Sequence, residues 1–163
     1  MIIETKRLIL RPFKMEDVEE FFLISSDKEV QKYLFSYSIK KSIDDFKKLV
    51  YEYSLCDFTT NFYFAICDKS TNKIMGALII NRTTFTVLDV SYFIGKDFRN
   101  NGYMKEALIG FKDFLSNSSF QYSALELTTS NSNKISQKVI ESCGGKKFRN
   151  CRDFIIWRIK VDH

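Results

Sequence analysis

Residues 87–107 read Val-Leu-Asp-Val-Ser-Tyr-Phe-Ile-Gly-Lys-Asp-Phe-Arg-Asn-Asn-Gly-Tyr-Met-Lys-Glu-Ala: a strand-like run, a polar loop, and a glycine where helical spacing begins. The first amides of a helix have no partners inside it and carry the positive end of its dipole, so this junction can hold phosphate oxygens. Gly102 has no Cβ, which lets a ligand come close to the main chain. The plainer alternative is a glycine that only starts a helix. Other phosphate signatures do not fit. No G-x-G-x-x-G follows a strand, and Gly95-Lys96-Asp97 lacks the upstream glycine and the Ser/Thr of a P-loop.

Several chemistries are excluded by what the chain lacks. Its one histidine is the terminal His163, so no imidazole can serve a Ser-His-Asp or Cys-His nucleophile. Cys56, Cys67, Cys143 and Cys151 form no CxxC pair, and with no histidine beside them they make no metal ligand set. Reduced thiols and no metal are expected. Carboxylates, hydroxyls, backbone amides or a bound cofactor are left to do the work.

The elements that must position these groups follow from periodicity. Residues 7–13 alternate as a first strand, and Met15-Glu16-Asp17 opens a helix with acids in its first turns, where they oppose the dipole. Ser42 reads as an N-cap, followed by Ile43, Phe46, Leu49, Val50 and Tyr53 at helical spacing. Residues 62–67, 74–80 and 87–94 read as three consecutive strands. After Gly102 a strong helix carries Met104, Ala107, Leu108, Phe111 and Leu115 on one stripe. Residues 124–128 form a short strand, residues 134–143 a helix stopped by Gly144-Gly145, and residues 154–159 a closing strand. An antiparallel meander followed by a β-α-β crossover predicts a mixed α+β sheet with helices on its faces.

With 163 residues and no repeat or linker, a single domain over residues 1–163 is expected. An apolar fraction of 45% excludes a disordered chain. The longest run without a charge, residues 114–125, is too short to span a bilayer, which needs about 20. The N-terminus lacks the pattern of a secretory signal, so a cytoplasmic location is expected.

Arg99-Asn100-Asn101-Gly102-Tyr103-Met104 resembles the Q/R-x-x-G-x-G/A pyrophosphate loop of the GNAT superfamily, the acyl-CoA-dependent N-acetyltransferases. Glu4-Thr5-Lys6-Arg7-Leu8-Ile9-Leu10-Arg11-Pro12 resembles the opening strand of its RimJ/RimL-like branch, which includes enzymes acetylating ribosomal-protein N-termini. Asp89-Val90-Ser91-Tyr92-Phe93-Ile94 is similar to that branch's E-x-G-Y-W-x strand, and Asn133-Lys134-Ile135-Ser136 to its N-x-x-S. The resemblance implies the GNAT fold, a mostly antiparallel mixed sheet splayed around a pantetheine arm. It implies acetyl-CoA as donor and an amine acceptor, either a small amine or a protein N-terminus such as a ribosomal one.

Carried over by resemblance, backbone groups at Phe93 and Ile94 would bond the pantetheine, with a strand amide near Ile94 available as oxyanion donor. The amides of Arg99, Asn100, Asn101, Gly102, Tyr103 and Met104 would wrap the pyrophosphate, and Asn133 would contact the pantetheine. Asp89 would act as base, directly or through water, and Ser136 would stabilise or protonate the departing thiolate. Met104 replaces a Gly or Ala, yet its place on the apolar stripe turns the side chain inward and leaves its amide available. Asp89 is a methylene shorter than the branch's Glu, and Ser91 and Gly145 replace a usual Gly and Phe. Ile140 stands where many family members carry an acidic tyrosine.

At about 100° per residue from Ile135, Ser136 falls at ~100°, between Cys143 at ~80° and Ile140 at ~140°. It is expected to face inward and to have a hydrogen-bond partner, the alternative to a site role being the carbonyl of the preceding turn. For Asp89 the alternative is a solvated carboxylate or an ordinary salt bridge. A neutral α-amine with pKa near 8 costs about 1.4 kcal/mol at pH 7, a lysine near 10.4 about 4.6 kcal/mol, so one water-relayed carboxylate suits the α-amine better, and small amines with a lowered pKa fit as well. Two rival classes stay in view: a catalytically poor CoA-binding sensor, and a basic nucleic-acid-binding domain. The net charge of +5 and the sixteen Phe motivate the latter, although no ribonucleoprotein motif is present. Residues 146–152 read as a solvated basic hairpin and residues 27–48 as a water-facing helical surface. The aromatics Phe21, Phe22, Tyr33, Phe35, Tyr37, Phe46, Tyr51 and Tyr53 are expected to pack rather than contact the acceptor. No membrane or nucleic-acid partner is expected, and the chain is read as a monomer or homodimer.

Overall fold

Apolar side chains alternate between the two faces of the strands, and each face recruits its own helices. In the computed structural model, which describes residues 1–34 and 42–163, the chain runs β1 (Ile3–Glu4), β2 (Leu8–Pro12), α1 (Val18–Ser25), α2 (Lys28–Tyr33) and α3 (Ile43–Ser54). It continues through β3 (Asn61–Asp68), β4 (Ile74–Arg82), β5 (Val87–Ile94) and α4 (Tyr103–Ser116). The last elements are β6 (Ala124–Ser130), α5 (Lys134–Ser142), β7 (Lys146–Asn150) and β8 (Phe154–Lys160). They build one 8-stranded sheet in the order β1-β2-β3-β4-β5-β6-β8-β7. Every neighbouring pair is antiparallel except β5 and β6, which the α4 crossover makes parallel. This is the mixed α+β sheet expected from the sequence.

On one face Leu8, Leu10, Phe62, Phe64, Leu78, Leu88 and Val90 pack against Met104, Ala107, Leu108 and Phe111 of α4, with Ile140 of α5 and Trp157 of β8 in the same cluster. On the other face Ala65, Cys67, Ala77 and Phe93 meet Phe21, Phe46, Leu49 and Val50 of α1 and α3. Burial pushes the Cys67 thiol up to about 12, so it is a packed, unreactive sulfur. Cys56, Cys67, Cys143 and Cys151 are all free thiols.

Three local details sharpen the periodicity reading. The first helix is preceded by a 3-10 turn at Met15–Asp17, because Asp17 turns inward to bind Arg11 instead of facing solvent at a helix start. Within residues 27–48 the structure shows α2, whose N-cap Asp27 accepts from the Glu29 amide, and the start of α3, capped reciprocally by Ser42 and Asp45. Phe35 and Tyr37 lie outside the described residues. Among the described aromatics of this region Phe21 and Phe46 are fully packed, whereas Tyr51 is 56% exposed. Residues 146–150 form β7, exposed throughout and at the sheet edge, where lysines discourage edge-to-edge pairing. Among the described residues no helix is long and apolar enough to cross a membrane.

Candidate active site

The loop between β5 and α4 is shaped by two left-handed residues, Asn100 at φ 61° and Gly102 at φ 75°. A side chain at Gly102 would be strained there even though the nearest atom, Arg7 Nη2, leaves ordinary room at 3.6 Å. No side chain caps α4 at Gly102 among the described residues, so the first amides of the helix keep their donor capacity.

Arg7 fastens this loop to the sheet. Its Nη1 donates to the Asn101 carbonyl at 2.9 Å, and its Nε and backbone N–H each reach Glu106 at 2.7 Å. The guanidinium also lies 4.4 Å from the centre of the Tyr103 ring. Burial works to raise the Glu106 carboxyl, but hydrogen bonds from Thr5 and Arg7 outweigh it and hold the group below its ordinary range. Met104 is buried on the α4 stripe, as its periodicity predicts. Arg99 turns its side chain away from the helix start. Its Nη1 pairs with Glu29 at 2.7 Å, its Nη2 lies 3.4 Å from Asp27, and its Nε reaches the Ile94 carbonyl at 3.3 Å. Its backbone N–H donates to the Lys96 carbonyl at 3.4 Å, so the Arg99 amide, expected to face the pyrophosphate, closes the preceding 3-10 turn instead, and the side chain ties the loop to α2.

Above this loop the sheet opens. β5 pairs with β4 along its whole length, down to Ile94 against Gly76, whose missing Cβ would collide with the Phe93 carbonyl. With β6 it pairs only at Val87, Leu88 and Asp89, against Ala124, Leu125 and Glu126. From Val90 to Ile94 the β6-facing edge of β5 therefore has no ladder partner among the described residues. The Gly95–Met75 bond sets the alternation so that Phe93, expected to offer backbone groups, turns them to Ala77 of β4, while the Ile94 N–H faces the opening and the Ile94 carbonyl accepts from Arg99.

α5 borders this opening. The Asn133 side chain caps it by accepting from the Ser136 amide at 3.1 Å. Gln137 is buried and donates to the carbonyls of Ser130 at 3.0 Å and Asn131 at 3.3 Å, fixing the turn that delivers Asn133. The inward arc of α5 is centred on Gln137 and Ile140, while Ile135 is 66% exposed. Ile135 was the wrong reference because its burial is decided by what packs over it. Ser136 nevertheless has the partner expected of it. That partner is the Tyr92 hydroxyl at 2.7 Å, reaching across from β5, and not the carbonyl of the preceding turn.

Asp89 lies on the opposite face, since Tyr92 joins the α4-side core and Phe93 the α1-side core. The structure brings Ser136 to Tyr92 and Asn133, but not to Asp89. In register with Asp89 are Asn81 of β4 and Glu126 of β6, and Glu126 is in turn opposite Arg158 of β8. Arg158 holds the Glu126 carboxylate through Nε and Nη2, both at 2.9 Å. Burial, and then the charge of Glu126, raise the Asp89 carboxyl above its ordinary range.

A raised carboxylate destabilises the folded chain when ionised. Asp89→Asn is therefore expected to raise the urea midpoint near neutral pH, and the gain should vanish as pH falls below the unfolded aspartate range. A lower midpoint in Asp89→Asn at neutral pH would contradict this assignment of the strain.

Beside Asp89, on the α1–α3 side, a cavity of about 280 Å³ is walled by Tyr53, Tyr63 and Phe93, with Asn81 and Ser91 as polar groups. Tyr63 donates to Asn81 Oδ1 at 2.9 Å, and among the described residues no charged side chain lines the space. Tyr53, expected only to pack, thus also faces a cavity. A larger groove of about 850 Å³ runs between β1 and α4 and shares Arg7 and Gly102 with the loop, but no residue of β5 or β6 lines it. Tyr92, Glu126, Gln137 and Arg7 are the site residues that periodicity missed. Their partners lie far away in sequence, so no local spacing marks them.

An opening between parallel strands that ends on a glycine-started, uncapped helix can take an extended ligand along the strand edge and its phosphates at the helix start. The chain belongs to the GNAT acetyltransferase family: its residues 7–146 match the family's acetyltransferase (GNAT) domain. It is an acyltransferase by that membership. Among curated proteins none matches the sequence. Solved structures share the fold at low identity. A GNAT-family acetyltransferase from Bacillus anthracis superposes with TM-score 0.87 at 19% identity, covering 99% of each chain. RimL, the ribosomal L7/L12 alpha-N-protein acetyltransferase in complex with coenzyme A, gives 0.84 at 16%, again with 99% of each chain covered. The microcin C7 self-immunity acetyltransferase MccE, in complex with acetyl-CoA and AMP, gives 0.81 at 16%, covering 96% of this chain and 94% of that one.

Proposed function

We propose that this chain is an N-acetyltransferase of the RimJ/RimL-like branch that moves the acetyl group of acetyl-CoA directly onto a primary amine, an α-amine at a polypeptide N-terminus. The observation that carries the reading is the release of β5 from β6 after Asp89, directly before the uncapped start of α4 at Gly102. The residues present fit the donor: amides from Asn100 to Met104 suit its diphosphate, and the free edge of β5 with Asn133 suits the pantetheine arm. When bound, acetyl-CoA supplies an activated thioester.

The chain's own groups do the rest. The cavity beside Ser91 and Asn81, with no charged side chain among its described lining residues, takes the first residue of the acceptor. Asp89 removes the ammonium proton through a water, helped by the raised proton affinity that burial, and then the charge of Glu126, give it. Ser136, at the mouth of α5, faces the departing sulfur. Holding both substrates together supplies roughly 7–11 kcal/mol without a covalent enzyme intermediate. RimL is named for an α-N-protein substrate, which favours a peptide acceptor over a small amine.

Thiol release measured over N-terminal peptides beginning with Ser, Ala or Thr, Nα-blocked lysine peptides and spermine tests the proposal. The α-amine peptides are expected to lead by at least about tenfold in kcat/KM, since lysine costs some 3 kcal/mol more to present neutral. Turnover confined to lysine or spermine would overturn the acceptor assignment. Saturable acetyl-CoA binding without turnover across the panel would favour the sensor reading.

A further inference from the structure

We propose that Tyr92 is a positioning residue for acyl transfer: its hydroxyl, 2.7 Å from Ser136 Oγ across the opening between β5 and β6, aims the Ser136 proton at the departing sulfur. The inference rests on the reading of Ser136 given above. Nothing in the periodicity of residues 87–94 points to it, because the contact joins residues 44 apart.

The direction of the hydrogen bond follows from counting protons. A neutral phenol and a serine hydroxyl each have one proton to give. If Ser136 donated to Tyr92, the phenolic proton would be left with the Ser136 carbonyl at 3.4 Å, a poor distance for O–H···O. With Tyr92 donating to Ser136 Oγ instead, the short bond is used and the serine proton is free to turn into the opening. Tyr92 stays protonated throughout, since burial raises its hydroxyl well above the ordinary tyrosine range, against the lowering effect of the Ser136 bond. It therefore remains a donor at any assay pH. Ile140 offers no hydroxyl from α5, so this pair is the one hydroxyl relay that bridges β5 and α5 among the described residues.

The step balances. As the carbon–sulfur bond breaks, its electron pair stays on sulfur, and the Ser136 Oγ proton passes to it. The charge developing on Oγ is met by the Tyr92 O–H. The proton shed by the newly acylated nitrogen returns to Ser136 through solvent.

Single-turnover acetylation of hydroxylamine, a weakly basic acceptor that needs no deprotonation near neutral pH, isolates the departure of sulfur from acceptor choice. Tyr92→Phe keeps the ring and should slow transfer about tenfold, and Ser136→Ala more, on the order of thirtyfold. Affinity for acetyl-CoA should stay within about twofold in each, and Tyr92→Phe/Ser136→Ala should be no slower than Ser136→Ala alone, as expected of groups acting in series. Ser136→Thr, which retains a hydroxyl, should recover most of the rate while Tyr92 is present. A Tyr92→Phe rate equal to the unaltered enzyme's, with Ser136→Ala slow, overturns the role of Tyr92 alone, and so do losses that multiply. Ser136→Ala at full rate overturns the Ser136 reading and Tyr92 with it.

Discussion

Gly102→Glu is expected to weaken acetyl-CoA binding at least a hundredfold in an isothermal titration while leaving the chain folded. Two effects add. The left-handed φ of 75° costs a side chain about 1–2 kcal/mol, relieved by moving the loop that Arg7 holds through Asn101. A carboxylate placed at about 4 Å from a diphosphate oxygen adds about 4 kcal/mol of repulsion at an effective dielectric near 20. Gly102→Ala, with the strain and no charge, should lose about tenfold. Because Gly102 is exposed and no part of the core rests on it, the urea midpoint should move far less than the affinity does. An unaltered titration curve for Gly102→Glu would remove the loop, and the donor site with it.

Asp17→Ala should destabilise the fold by about 3–5 kcal/mol, a large share of the 5–15 kcal/mol typical of a domain. Asp17 Oδ1 and Oδ2 each lie 2.8 Å from an Arg11 nitrogen, and the side chains of the pair are only 7% and 8% exposed. Oδ2 also accepts from the Lys14 amide. Removing the carboxylate strands a guanidinium whose other partners, Asn72 Oδ1 and the Pro12 carbonyl, are neutral. The pair joins β2 to the turn that launches α1, whose Phe21 stacks on the cavity-lining Phe93, so its loss should also loosen the packing behind the cavity and raise the KM of peptide acceptors more than that of acetyl-CoA. A shift below about 1 kcal/mol in urea unfolding would show that the buried pair is dispensable.

The loop and the pairs proposed to act in transfer were legible in the sequence to different degrees. The start of α4 at Gly102 was visible because its signals are local: a polar loop, a lone glycine, and an apolar stripe at helical spacing. The inward turn of Met104 followed from the same stripe and is observed. Arg99 illustrates the limit. Its motif position suggested an amide facing the pyrophosphate, but that N–H closes the 3-10 turn at Lys96, and the cation pairs with Glu29 and Asp27, which the fold brings beside the loop. Ser136 is a mixed case. The expectation of a partner was sound, since a half-buried hydroxyl seeks one, but the choice of Tyr92 depended on where β5 passes.

Asp89 shows the same division. That a carboxylate stands on the strand before the loop is plain from residues 87–94, whereas its neighbour Glu126 is set by the parallel register of β5 and β6. A shift of one residue would turn Glu126 to the other face and remove the charge that raises Asp89.

By itself the sequence determined the mixed α+β order, the helix start at Gly102 and the supply of carboxylates, hydroxyls and amides around it. These are matters of residue type and short-range period, where propensity and capping act over a few positions. Tertiary structure alone decided that the sheet opens beyond Asp89, that Tyr92 meets Ser136, and that Asp89 and Ser136 stand on opposite faces. Each of these is a pairing between distant segments, set by the packing of whole faces against α4 and α1, which no local window of sequence contains.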